Sequence, residues 1–184
     1  MNEEKNNYKD VCSRCDQTKH RIRQTIERLI KPGRDVHIEM VAVRIKHKAL
    51  HQLLEKIASR PAESGGILLG PVGTNYITDF YFDHSGTCTG GSYSPDHITI
   101  NRKLHEYWQP AGLEIKGCAH SHPGNLDSLT YADMGYIKRL MVKNPDMKTF
   151  VAPIVLPHHY AIRPLVVSRD QMNRAQQAYF EIFD

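Results

Sequence analysis

The chain has no apolar run approaching the roughly 18 residues that a membrane-crossing helix needs. Its first residues, MNEEKNNYKD, lack the apolar stretch of a signal peptide. Cysteine is scarce. Cys12, Cys15, Cys88 and Cys118 are too few and too scattered for a disulfide scaffold. Together these features argue against a membrane partner and point to a reducing, cytoplasmic compartment. Excess charge is also small. Residues 1–36 hold nine Lys/Arg against six Asp/Glu, and residues 37–184 hold 15 against 14. The net charge of +4 therefore belongs mostly to the N-terminal segment. The nearly neutral remainder lacks the concentrated basic face of a nucleic-acid binder. No internal repeat is present.

The 184 residues are 40% hydrophobic and 24% charged, ordinary values for one globular domain with a short appendage. We divide the chain into an N-terminal helical extension, 1–36, and a main domain, 37–184. In the extension, Ile22, Ile26, Leu29 and Ile30 form one helical stripe, which Pro32 and Gly33 end. That stripe can pack on the main domain, dock a partner or meet a second copy of the chain. Cys12 and Cys15 form a lone CxxC with His20 five residues on and no evident fourth ligand.

The main domain alternates. MVAVRI (40–45) reads as a strand, and KALHQLLEKIAS (48–59) as a helix with Leu50, Leu53, Leu54 and Ile57 on one face. GGILLG (65–70) and NYITDFYFD (75–83) read as neighbouring strands. Residues 84–96, HSGTCTGGSYSPD, read as a loop that a substrate could meet or that merely connects. HITI (97–100) reads as a short strand, RKLHEYW as a helix and LEIKGCAH (113–120) as a strand. YADMGYIKRLMVK (131–143) reads as a helix, TFVAPIVL and YAIRPLVV as one strand each, and RDQMNRAQQAYFEIF as a closing helix. Interleaved strands and helices predict an α/β (α+β) fold around a mixed sheet.

The segment HSHPGNLDSLTYAD (120–133) carries the chemistry. In a strand, residues two apart point the same way, so His120 and His122 converge while Ser121 points away. Asp133, in the first turn of the next helix, can swing back to them. Two imidazoles, a carboxylate and an open fourth position make a catalytic rather than a structural zinc set. The same segment also reads as a helix start, because Thr130 and Asp133 have capping-box spacing. Asp127 and Ser128 offer an earlier cap. Spacing alone leaves both readings open. Hydrolysis further needs a base, and no HExxH helix supplies one. Glu63 is the candidate, at the mouth of an apolar strand and followed by two glycines that allow close backbone approach. His158 and His159 are adjacent, so a strand would aim them at opposite faces; we read them as surface or supporting residues.

Glu63 together with HSHPGNLDSLTYAD resembles the JAMM or MPN+ metalloprotease signature. That signature is a Glu, a distant His-Ser/Thr-His-Pro, a seven-residue spacer after the second histidine, and Ser-x-x-Asp. The resemblance covers roughly residues 38–170. It implies a JAB/MPN fold, a curved mixed sheet flanked by helices and similar to cytidine deaminases. It implies one catalytic Zn²⁺ on His120, His122 and Asp133, Glu63 as the base, Thr130 at the oxyanion and Ser121 in support. The implied reaction is hydrolysis of the isopeptide or peptide bond after the C-terminal glycine of a ubiquitin-like protein. Some similar bacterial proteins are encoded beside activating (E1-like) and conjugating (E2-like) enzymes or in antiphage systems. The chain departs from the pattern at Thr130, where the family usually has serine; Ser128 is two places out of register. Cys118 reads as a small buried hydrophobe. Two other functions use the same architecture: C-terminal processing of a sulfur-carrier or ubiquitin-like precursor, and a non-catalytic scaffold. A deaminase is disfavoured, since no paired cysteines follow the histidines.

Overall fold

The computed structural model describes residues 17–27, 40–60, 63–89 and 92–184. Cys12, Cys15, Leu29, Ile30, Pro32, Gly33 and the expected boundary at residues 36–37 lie outside the described residues, as do Gly90 and Gly91. Residues 17–27 are helical (α1). Then follow β1 (Val41–Lys46), α2 (His47–Ala58), β2 (Gly65–Pro71), β3 (Tyr76–Ile77) and β4 (Asp79–Phe82). The hairpin strands β5 (Thr87–Thr89) and β6 (Ser92–Ser94) lead into α3 (His97–Lys103), which a π-helical turn extends over Leu104–Trp108. Next come β7 (Leu113–Ser121), α4 (Tyr131–Lys143), β8 (Thr149–Val151), β9 (Ile154–Leu156), β10 (Ala161–Arg163), β11 (Leu165–Ser168) and β12 (Ala175–Phe183).

Ten of these strands form one mixed sheet. β7 pairs antiparallel with β2 on one side and parallel with β8 and β9 on the other. β12 pairs antiparallel with β11 and parallel with β1. The segment 76–82 joins the two ends of this path. Through β3 it pairs with β1, and through β4 with β2. The sheet is therefore curved and nearly closed. Alternation along the strands divides the core. Leu68 and Ala119 face one cluster with Val43, Ile45, Leu50, Leu53, Leu54 and Ile57, and Ile22 and Ile26 of α1 complete it. Ile67, Leu69 and Cys118 face the other, with Ile100 of α3 and Ile137 and Met141 of α4. Helices α1 and α2 cover the first face of the sheet; α3 and α4 cover the second.

Four expectations change. HITI is the first turn of α3, because Asp96 caps it by accepting from the backbone N–H of Ile98 and Thr99, each at 3.1 Å. This cap outweighs the β-branched composition. The closing segment is not a helix but β12. Its Ala178 and Phe180 are buried at period two, and pairing with both β1 and β11 overrides its Gln- and Ala-rich helix propensity. TFVAPIVL and YAIRPLVV are each split in two, at Pro153 and Pro164, since proline has no N–H for the ladder. Residues 84–96 are not all loop, because β5 and β6 pair within them.

Gly117 sits where β7 meets β8. A Cβ there would lie 1.8 Å from the Val151 carbonyl oxygen, a backbone atom that cannot step aside. Gly117→Ala is expected to destabilise the protein by at least about 1–3 kcal/mol, read by urea denaturation. Wild-type stability would show that the two strands part here without cost.

Candidate metal centre

The end of β7 does what alternation requires. Cys118 points into the α3/α4 side of the sheet, so His120 and His122 point there too, while Ala119 and Ser121 face the other way. Pairing of His120 with Ile154 and of Ser121 with Val155 keeps the strand extended to its last residue. His122 N–H then continues the ladder to the Val155 carbonyl at 3.1 Å. Both imidazoles are buried. Their Nε2 atoms are 2.8 Å apart. The His122 Nδ1 lies 3.2 Å from the Leu126 carbonyl, which can only accept. Nδ1 therefore carries the proton, and in the neutral ring Nε2 presents a bare lone pair.

The third group comes from α4. Gly124, in the left-handed region with φ of 61°, turns the chain after His122. Thr130 caps α4 and Asp133 is its third residue, in a capping box. Asp133 Oδ2 accepts from both the backbone N–H and the hydroxyl of Thr130, each at 2.7 Å. The Thr130 hydroxyl in turn accepts from Asp133 N–H at 3.2 Å. The cap leaves the carboxylate aimed at the histidines, with Oδ1 3.3 Å from His120 Nε2 and Oδ2 3.4 Å from His122 Nε2. The capping reading of this segment holds, and it does not compete with the metal reading. The helix cap is the device that delivers the carboxylate.

These three groups fit a metal ion. Ligand atoms about 2.0–2.1 Å from a tetrahedral centre stand about 3.3 Å from one another. The separations here are 2.8, 3.3 and 3.4 Å. Among the described residues, His120, His122 and Asp133 are the group able to hold such an ion. The electrostatics match. Burial disfavours charge on His122, but its contacts with Asp133 outweigh that and raise its pKa above the usual value. Burial likewise works against the Asp133 carboxylate, yet hydrogen bonds from both histidines hold its pKa well below the ordinary range. The carboxylate stays ionised, and His122 is where protons compete.

Glu63 and Thr130 line the same cavity of about 310 Å³ as the three ligands, and Cys118, Ile137, Phe150 and Ala152 form its apolar floor. Glu63 is 7% exposed. Ser121, pointing away from the histidines, explains its placement. The Ser121 hydroxyl accepts from Ser64 N–H at 2.9 Å and donates to the Ser64 carbonyl at 3.3 Å. Ser121 N–H donates to that carbonyl as well, at 2.9 Å. Ser121 therefore pins the residue after Glu63 to the strand that carries the histidines.

Cys118 is buried in the core, and burial pushes its thiol pKa up to about 12, leaving an inert small side chain. His158 and His159 lie in an exposed turn, where His159 meets Asn125. His20 is exposed and contacts Gln24. Two residues had no sequence signal: Tyr93, whose ring stacks on His120, and behind it Asp83, which accepts from the Tyr93 hydroxyl.

No protein-family model matches the chain, and no curated protein matches it. Solved structures do. A protein from Desulfitobacterium hafniense, known from a solution structure, superposes with a TM-score of 0.58 at 13% identity, over 77% of this chain and 92% of that one. The likeness is one of fold. A JAB1/MPN domain protein from Archaeoglobus fulgidus aligns with a TM-score of 0.47 at 16% identity, over 77% of this chain and 99% of that one.

Two outcomes follow from the geometry. Metal binding requires neutral histidines. With the His122 pKa raised above 6.5, affinity for zinc is expected to fall as the pH drops through a value above 6.5, not below it. Titration at pH 6, 7 and 8 with a competing chelator checks this; equal affinity at all three would sink it. Thr130→Val removes the hydroxyl's share of the cap and leaves Asp133 held by the backbone N–H of residue 130 alone. It is expected to cost about 1 kcal/mol of stability and to weaken zinc binding in the same titration.

Proposed function

We propose that this chain is a zinc metalloprotease of the JAMM or MPN+ type, with a JAB/MPN fold. Its reaction is hydrolysis of the bond after the C-terminal glycine of a ubiquitin-like protein. The observation that carries this reading is the convergence of His120, His122 and Asp133 in a cavity that Glu63 also lines. A metal set with three protein ligands leaves a position open, as catalysis needs. A buried carboxylate beside it supplies the base that the set alone lacks.

A zinc ion held there contributes Lewis acidity, polarising a carbonyl and acidifying water. The chain's residues do the rest. Glu63 takes a proton from the attacking water and returns it to the leaving amine, either a lysine Nζ or a backbone nitrogen. Ser121 holds the Glu63 segment in register with the ligands. Thr130 supports the reading as the residue that orients Asp133. Its one hydroxyl proton goes to that carboxylate, so donating to an oxyanion requires it to give up that bond. The substrate is a ubiquitin-like protein or its conjugate, and the partners are activating and conjugating enzymes of the same pathway. Precursor processing would use the same groups on a linear peptide bond.

Glu63→Gln is expected to keep one zinc per chain by elemental analysis and to lose about 10²–10⁴-fold in cleavage rate. A strong chelator should abolish cleavage and added zinc restore it. Substrates should include both a linear C-terminal fusion and a lysine-linked conjugate. Cleavage of the fusion alone favours processing, and cleavage of the conjugate supports deconjugation. Near wild-type cleavage by Glu63→Gln would remove the glutamate from its role. A zinc-loaded protein inert on every ubiquitin-like substrate would return the fold to a scaffold.

A further inference from the structure

The two histidines are held differently. His122 has its Nδ1 tied to the Leu126 carbonyl, the outer hydrogen bond that metal-binding histidines almost always make. Among the described residues, no hydrogen bond reaches His120 Nδ1. Its ring is instead bracketed by two aromatic contacts. The edge of His122 lies against it at 4.6 Å and 71° between planes, and the Tyr93 ring stacks at 6.4 Å and 26°. Both separations fall in the range where aromatic pairs attract.

Tyr93 is itself fixed from its far end. Its hydroxyl donates to Asp83 Oδ2 at 2.9 Å. Asp83 is 3% exposed and follows β4. It accepts as well from Asp96 N–H at 2.9 Å and Ser85 N–H at 3.2 Å, while its own N–H donates to the Gly65 carbonyl at 3.1 Å. One carboxylate thus gathers the turn after β4, the strand β6 and the start of α3. Two glycines make room for the ring. A Cβ on Gly65 would lie 2.3 Å from Tyr93 Cε1, and one on Gly86 would lie 2.7 Å from Cε2. Burial first, and then the Cys118 and Asp83 surroundings, raise the phenol pKa, so the hydroxyl remains a donor to Asp83.

We propose that Tyr93, anchored by Asp83, is the positioning residue for His120. Its ring face orients an imidazole whose Nδ1 no protein group among the described residues holds, and through it the β5–β6 hairpin is tied to metal affinity. The proposal rests on the metal reading of His120, His122 and Asp133. Tyr93 lines the same cavity but is not one of the three ligand residues, and with Asp83 it sets the angle at which Nε2 meets the other two.

The test uses the full-length chain, stripped of metal, with zinc as the probe and a chromophoric chelator as competitor. Tyr93→Ala removes the ring and is expected to weaken zinc binding about 10–100-fold, the range for lost outer partners. Tyr93→Phe keeps the face and loses the anchor. Asp83→Asn weakens the anchor while the ring stays. Each is expected to fall between wild type and Tyr93→Ala, with Tyr93→Phe recovering most of the affinity. The absorption spectrum of the cobalt-loaded protein gives a second readout, expected to change in Tyr93→Ala as the ligand angle changes. A merely structural role would lower the melting temperature of the metal-free protein and leave both readouts as in wild type; that result overturns the proposal. Should Tyr93→Ala fail to fold, wild-type zinc affinity in both Tyr93→Phe and Asp83→Asn overturns it equally. Wild-type protein that takes up no zinc overturns the metal reading, and this proposal with it. Wild type with one zinc and unaltered variants overturns this proposal alone.

Discussion

Strand β7 must stay extended to its final residue, and the site depends on that. Were the ladder to β9 to end one residue earlier, His122 would lose its bond to the Val155 carbonyl and the two imidazoles would diverge. The constraint is supplied from both sides. β9 pairs with His120 and Ser121, and across the strand Gly65 pairs with His120. Ser121 adds a side-chain clamp on Ser64. A residue facing away from the cavity therefore does as much to assemble it as those facing in. The same pairing that aligns the ligands also sets the glutamate beside them.

Asp133 caps α4 with the same carboxylate that faces the two histidines. A helix cap and a metal ligand both want an anion held at a helix N-terminus, where the unpaired N–H groups and the helix dipole favour negative charge. The capping box holds the carboxylate by Oδ2 and leaves Oδ1 facing His120. Threonine at residue 130 fills that role with the hydroxyl that serine would offer. The departure from the usual serine thus leaves the cap intact.

The fold class and the local geometry around the histidines were legible in the sequence; the identity of several elements was not. The His-x-His spacing, the alternation rule and the helix start at Thr130 are all local, and local patterns survive folding. Glu63 is 57 residues from His120, and its place before an apolar strand and two glycines made it a candidate that the resemblance then reinforced. The elements misread were those that tertiary pairing decides. β12 has a helix-prone composition, yet it is the one strand that connects β11 to β1. HITI has a strand-prone composition, but a single Asp cap starts a helix there. Tyr93 and Asp83 left no pattern, because their roles arise from a hairpin folded back over two glycine notches. The stripe of Ile22 and Ile26 was legible as a helix, but not what it packs on.

That packing changes what the N-terminal segment is. Ile22 and Ile26 are buried in one cluster with Leu50, Leu53, Leu54 and Phe180. Thr25 hydrogen-bonds the Tyr160 carbonyl, and Arg21 lies over the Tyr160 ring. A division of the chain in sequence is therefore no division of its interior. Residues 17–27 share one buried cluster with α2 and the sheet it covers. A chain cut at residue 37 would not be a smaller intact protein; it would carry an apolar cleft along α2 open to water.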